Sequence, residues 1–236
     1  MMTLETTVGE MVVERPSRAR VFERHRIDYC CGGKMTLSAA CARRGLDPQQ
    51  VLAEIEANDQ AVAPDETDWN QSPLPSLVDH LLDTHHVYLR EAMERLAFLA
   101  EKVARVHGEH HPELQEVHGL FEKFRQEMID HMAKEEQILF PAIGKLVEGS
   151  DAPFPFPIDR PIGVMNSEHE EAGRDLERLR DLTSGYRLPE DACNSYRALF
   201  SGLSELEQDT FQHIHKESNI LFPRAIALLD RAGSRA

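Results

Sequence analysis

The feature that most constrains this chain is a short segment that occurs twice within stretches of helical periodicity. In the first copy, Glu135 follows His131 by four residues, and Ile-Leu-Phe-Pro follows at 138–141. In the second copy, Glu217 follows His213, and Ile-Leu-Phe-Pro occurs at the same offset. Residues four apart lie about 40° apart around a helix axis and about 6 Å along it, so each His and Glu share one helix face. The repeat predicts a duplicated helical unit.

A weaker repeat precedes each copy. His86 and His169 are each followed, eight residues later, by Glu-Arg-Leu. The interval from His86 to His131 is 45 residues, and the interval from His169 to His213 is 44. We interpret this pattern as two helical hairpins, each with one histidine on its first helix and His-x3-Glu on its second.

Four long stretches of helical periodicity carry these repeats. Short connections between long helices favour antiparallel neighbours, so an all-α, up-down-up-down four-helix bundle is predicted. No segment alternates with the period of a strand, and no sheet is expected. The predicted helices span approximately 76–107, 112–147, 161–184 and 189–230.

The N-terminal quarter predicts a separate small helical domain over residues 1–58, ahead of a linker at 59–75 and the bundle at 76–236. Thr7 and Glu10 are spaced as a capping box. Gly45 is placed to end one helix, and Pro48 to begin the next. The linker contains three prolines and the only tryptophan.

The histidines and glutamates of the repeat lie on the apolar stripe of each helix. A heptad stripe faces the bundle interior, where charged groups are costly unless they are paired or bind a metal. On the first helix, His86 continues the stripe, whereas the positions spaced from His85 are more polar. The apolar stripe positions are Val117, Phe121, Phe124, Met128, Ile138 and Ala142 on the second helix, and Leu199, Leu203, Leu206, Thr210 and Ile220 on the fourth.

Four inward histidines and two inward carboxylates predict a pair of metal ions. Six protein ligands exceed what one ion usually takes, and carboxylates can bridge two ions. With an oxo or hydroxo bridge, the set suits two non-haem irons better than manganese. Structural zinc is disfavoured because it prefers thiolate ligands, and covalently attached haem because the chain has no C-x-x-C-H motif. The predicted ligands are His86, His131, Glu135, His169, His213 and Glu217.

Other acids and histidines are expected in lesser roles. The acids Glu136, Glu168, Glu170 and Glu171 are expected to be solvated or to contact the ligands. The expected surface histidines are His110, His111, His118 and His215.

Asp28-Tyr-Cys-Cys-Gly-Gly-Lys34 is the second unusual feature. Adjacent cysteines form a strained ring when oxidised, so a stable disulfide is not expected. Lys34 and a helix beginning near Met35 would lower the thiol pKa values and favour reactive thiolates at Cys30 and Cys31. The alternative is a turn with two half-buried small residues. Cys41 and Cys193 are expected to be packing residues.

The formal charge of −15 disfavours nucleic acid and anionic membrane surfaces as partners. No apolar run reaches the length of a membrane span, and the N-terminus carries acids where a secretory signal carries bases. A cytoplasmic protein with reduced thiols is therefore expected.

These features together resemble the RIC family, the di-iron proteins that repair iron–sulfur clusters. The matching segments are Asp28–Lys34, His131–Pro141, Ser167–Gly173 and His213–Arg224. The resemblance implies a hemerythrin-like bundle behind a vicinal-cysteine domain, and the six ligands named above. Oxygen-carrying hemerythrins resemble the bundle alone; they use a fifth histidine where this chain has a second carboxylate, which argues against simple oxygen carriage.

The resemblance implies a stress-response protein that acts on damaged iron–sulfur proteins. Our hypothesis is iron donation from the carboxylate-bridged site, with Cys30 and Cys31 contacting the client, receiving iron or nitric oxide, or tying two chains into a homodimer. Alternatives are a nitric oxide or oxygen sensor and a nitric oxide reductase. The cysteine domain favours a role directed at other proteins, and therefore a repair protein over a turnover enzyme.

Overall fold

The computed structural model describes residues 2–61, 67–149 and 158–233, and within these it is all-α, as predicted. Thr7 and Thr36 form an isolated antiparallel bridge. Part of the predicted linker, residues 62–66, lies outside the described chain. The α-helices are α1 (Val8–Glu14), α2 (Ala19–Arg24), α3 (Leu37–Arg44), α4 (Pro48–Ala61), α5 (Leu74–His80), α6 (Val87–His107), α7 (Glu113–Lys134), α8 (Phe140–Val147), α9 (Asp159–Leu182), α10 (Asn194–Lys216) and α11 (Phe222–Gly233).

The chain divides into two compact units. The first contains residues 1–79, 143–153 and 211–236, and the second contains residues 80–142 and 154–210. None of the described helices has the length and apolar character needed to cross a bilayer.

Capping residues define the short helices of the first unit. The predicted capping box is confirmed, since Thr7 Oγ1 accepts from the Glu10 amide and Glu10 accepts from the Thr7 amide, both at 3.2 Å. Gly45 ends α3 with a left-handed φ of 67°, which only glycine adopts at little cost. Pro48 begins α4, as predicted. The core of this unit includes Val8, Met11, Phe22, Tyr29, Leu37 and Ile55.

The second unit is an antiparallel bundle of α6, α7, α9 and the first part of α10. Contacts join the end of one helix to the beginning of the next, which confirms the up-down-up-down order. The fourth helix begins later than predicted, because turns and irregular backbone occupy residues 183–193. The pairs that fix the directions are Arg90–Glu136, Ala104–Gln115, Lys134–Glu168, Glu116–Arg178, Arg180–Glu207, His85–Asp209 and His107–Cys193.

Within the part of the chain that the structure describes, three π-helical segments occur, at Leu81–His86, Glu135–Leu139 and Glu217–Leu221. Each begins or ends on a predicted ligand. A π turn holds one more residue than an α turn, so the side chains that follow are rotated relative to an uninterrupted α-helix. Heptad spacing places Ile138 in the core, but Ile138 is 43% exposed while Leu139 is buried. The prediction is therefore wrong for Ile138, whereas Ile220, at the same offset in the second copy, is buried as predicted.

Candidate metal centre

The second unit gathers four of the predicted ligands, three histidines around one carboxylate. His86, His131, Glu135 and His169 are all buried. Glu135 Oε2 lies 3.4 Å from His86 Nε2, and Glu135 Oε1 lies 3.4 Å from His131 Nε2. His169 Nε2 lies 3.1 Å from His131 Nε2. The two oxygens of Glu135 therefore face different histidines, so each oxygen is available as a metal donor beside a separate imidazole.

Two further carboxylates orient the histidines of this group. His86 Nδ1 donates to Glu136 Oε1 at 2.7 Å, and His131 Nδ1 donates to Glu168 Oε2 at 2.9 Å. A hydrogen on Nδ1 leaves the lone pair on Nε2, and Nε2 faces Glu135 in both cases. Outer carboxylates fix metal-binding histidines in this way. Glu136 and Glu168 thus contact the predicted ligands, one of the two roles expected for them.

The same contacts explain the pKa values of these two carboxyls. Burial alone would raise the pKa of Glu136, but hydrogen bonds from His86 and Arg90 hold it below its usual range. The hydrogen bond from His131 lowers the pKa of Glu168 against the opposing effect of burial. Both groups are therefore ionised acceptors for the imidazole N–H groups.

The first unit contains the other predicted pair. His213 lies in the last turn of α10, and Glu217 is the first residue of the π segment that follows. Both side chains are fully buried, and His213 Nε2 lies 3.1 Å from Glu217 Oε1. This geometry repeats that of His131 and Glu135, so the duplication seen in the sequence extends to side-chain placement.

The donors of both groups are imidazole nitrogen and carboxylate oxygen. Buried lone pairs that converge within hydrogen-bond distance repel one another unless a cation or a proton lies between them. Non-haem iron accepts this mixture of ligands, whereas structural zinc sites favour thiolates. The residues present fit the expected iron.

A cavity of about 160 Å³ reaches this group from one side. His131 and His169 form part of its wall, together with Phe124, Met128 and Ala172. Lys134 and Glu168 also line it. A diatomic molecule or a water can therefore approach the two histidines.

Two histidines that the sequence assigned to polar surroundings are buried. His85 is 2% exposed, and its Nδ1 lies 2.9 Å from Asp209 Oδ1. His215 is only 4% exposed, so its assignment to the surface is wrong. Burial lowers the pKa of His215 to about 4, and its Nδ1 lies 3.1 Å from Asn219 Nδ2. Helical periodicity places His215 away from the bundle stripe, but cannot show that Tyr29, from the N-terminal part of the same unit, packs against it.

The cysteine loop also belongs to the first unit, and Asp28 shapes it. Asp28 Oδ1 accepts from the Cys30 amide at 3.0 Å, and Oδ2 accepts from the Gly32 amide at 2.9 Å. The Cys30 and Cys31 sulfurs form no disulfide and lie 3.7 Å apart. Cys30 Sγ also lies 3.1 Å from Asp28 Oδ1.

The expected activation of these thiols is wrong for Cys30. Burial raises the pKa of the Cys30 thiol well above its ordinary value. The next helix begins at Leu37 behind the cap Thr36, near Met35 as expected, but burial has the larger effect on the Cys30 thiol. Among the other cysteines, Cys41 is buried as expected, whereas Cys193 is exposed beside His107.

Two sequence families match the chain. Residues 77–225 match the family described as hemerythrin HHE cation binding domain, and residues 4–59 match a domain of unknown function (DUF542). The chain is 39% identical over 225 residues to the iron-sulfur cluster repair protein YtfE of Pectobacterium carotovorum, covering 94% of this chain and 97% of that protein. It is 40% identical over 220 residues to the iron-sulfur cluster repair protein YtfE of Escherichia coli O8, covering 93% and 96%.

Proposed function

This chain belongs to the hemerythrin-like family of iron-sulfur cluster repair proteins, and on that basis we propose that it restores clusters damaged by nitric oxide or oxidants. The observation that carries the proposal is the placement of Glu135, whose two oxygens face two different buried histidines. The iron that this chain would donate to a damaged cluster is then a substrate of the repair reaction.

The proposed ligand set is His86, His131, Glu135, His169, His213 and Glu217, which together hold two non-haem irons with an oxo or hydroxo bridge. The internal repeat supports this set, because the pair His213–Glu217 has the geometry of the pair His131–Glu135. When bound, iron supplies redox and Lewis-acid chemistry. The chain's own residues orient the donors and exclude bulk water from them.

The proposed clients are damaged iron–sulfur proteins of the cytoplasm, and the cysteine loop is the surface that meets them. Cys31 is half-exposed and Cys30 is buried beside it. A thiol at the surface can contact a client cluster, and a second thiol behind it can share an iron or a nitrosyl group. We propose no nucleic acid or membrane partner for a chain of net charge −15.

The first test is iron transfer to an apo-cluster protein by the double variant Glu135→Leu, Glu217→Leu. Removing both carboxylates removes both candidate bridges, so bound iron and transfer should fall to background. Glu170→Leu is the matched control, because Glu170 is exposed on α9 and its carboxylate approaches Arg174 only at 4.0 Å. Transfer at the wild-type rate by the double variant would refute the proposal.

A second candidate function is supported by the cavity beside His131 and His169. Its volume accommodates a diatomic gas, so the same site could capture nitric oxide or oxygen for sensing or reduction. Steady formation of nitrous oxide under reductant would favour a nitric oxide reductase. Loss of gas binding in a variant that still repairs clusters would eliminate the sensor.

A further inference from the structure

The geometry points to a second metal site in this chain, formed by Asp28, Cys30 and Cys31, which binds one thiophilic divalent cation such as Fe²⁺, Co²⁺ or Zn²⁺. One ligand atom from each of these residues lies within 4.8 Å of the other two. None of the three belongs to the ligand set proposed above, and the site stands whether or not the chain repairs clusters.

The separation of the two sulfurs matches the bite of a tetrahedral ion. With metal–sulfur bonds of about 2.3 Å, two sulfurs at a tetrahedral angle lie about 3.8 Å apart. The Cys30 and Cys31 sulfurs are 3.7 Å apart. A disulfide would instead need them at about 2.05 Å and would close a strained ring. The loop thus holds the two sulfurs at the separation that they would have if both bound one tetrahedral metal ion.

Asp28 supplies the third donor from a fixed position. Its Oδ1 lies 3.1 Å from Cys30 Sγ. Both of its oxygens accept backbone amides of the loop, from Cys30 and Gly32. Each carboxylate oxygen keeps a second lone pair, so Asp28 can bind an ion without giving up these hydrogen bonds.

The loop is held by further contacts within its own unit. Gly9 donates to the Gly33 carbonyl and Met35 to the Gly32 carbonyl, both at 2.9 Å. Asn219 Nδ2 donates to the Cys30 carbonyl at 3.2 Å. A Cβ added at Gly33 would lie 2.7 Å from the Tyr29 carbonyl, so the backbone is already closely packed there. A site that is organised before binding needs little ordering of the chain when the ion arrives.

The three donors leave one coordination position open. Cys30 is buried, but Asp28 and Cys31 are half-exposed, so a water or a ligand from another molecule can occupy the fourth position. Two thiol protons pass to solvent as the two sulfur–metal bonds form. An open position suits an ion in transit better than a structural ion. Use of this site as a relay for donated iron rests on the proposed function.

Cobalt(II) provides the test, because thiolate ligands give charge-transfer absorption in the near ultraviolet and nitrogen or oxygen ligands do not. The titration uses the full-length, iron-loaded protein, reduced and anaerobic, in a Cys193→Ser background that removes the exposed thiol. We expect one cobalt per chain with this absorption. Cys30→Ser and Cys31→Ser should abolish the absorption, and Asp28→Asn should weaken cobalt binding about 10-fold or more.

Two further measurements keep the result decisive. Far-ultraviolet circular dichroism and iron content show that each variant is folded. Absence of the absorption in the parent, or its persistence in both serine variants, would overturn the site. If cobalt binding is lost in the serine variants while iron transfer continues at the wild-type rate, the site stands and the relay fails.

Discussion

Glu136 and Glu168 determine which ring nitrogen of His86 and His131 faces the candidate centre. Both accept from Nδ1 and leave Nε2 directed at Glu135. Glu136→Gln or Glu168→Gln would present an amide that can hold either tautomer, so we expect each to weaken iron binding about 10- to 100-fold. Competition with an iron chelator measures the change. The control variant Glu170→Gln, on the exposed face of α9, should bind iron with the wild-type affinity. Unchanged iron affinity in the Glu136 and Glu168 variants would contradict their role in orienting the histidines.

At the residue scale, the sequence predicts correctly which histidines are buried where those histidines occupy an apolar stripe. His86, His131, His169 and His213 are found by this rule, because an imidazole at a core position violates the pattern around it. His215 is missed, because what buries it is Tyr29 and other residues nearly 190 positions away in the chain. The spacing of residues along one helix cannot predict contacts with a distant part of the chain.

At the scale of single elements, Thr7 and Glu10 hold α1 by reciprocal hydrogen bonds. Thr7→Ala removes the acceptor for the Glu10 amide, and we expect it to lower the free energy of unfolding by about 1 kcal/mol. Thr7→Ser keeps the oxygen and should cost only a few tenths of that amount. Urea unfolding followed by circular dichroism measures both, and an equal loss in the two variants would show that packing of the Thr7 methyl group, not the cap, is responsible.

Helix ends of this kind can be predicted because a cap is a local arrangement of a few residues. The π segments cannot be predicted in the same way. A segment such as Glu135–Leu139 differs from an α-helix by one hydrogen-bond step, and its residues have no distinct composition. The duplicated π segments after His131 and His213 are therefore absent from the predicted pattern.

At the scale of the whole molecule, the compact units do not follow the order of the chain. Residues 211–236 belong to the same unit as residues 1–79. A sequence read from end to end predicts domains as continuous ranges, here 1–58 and 76–236 around a linker at 59–75, and those boundaries remain a prediction. The class of fold is predicted better, because four long amphipathic stretches with short connections leave few arrangements other than a bundle.

The last prediction concerns the stability of the whole chain with and without iron. The proposed ligands are buried, and a metal that binds only the folded state stabilises it by roughly 2.7 kcal/mol at 100 times the dissociation constant. For a chain of this size, that corresponds to a rise of about 5–10 °C in the thermal midpoint. The thermal midpoint of the double variant Glu135→Leu, Glu217→Leu should not rise when iron is added. Its metal-free form should be at least as stable as the metal-free wild type, because apolar side chains replace buried carboxylates. An equal rise in both proteins would mean that iron stabilises the fold from another site.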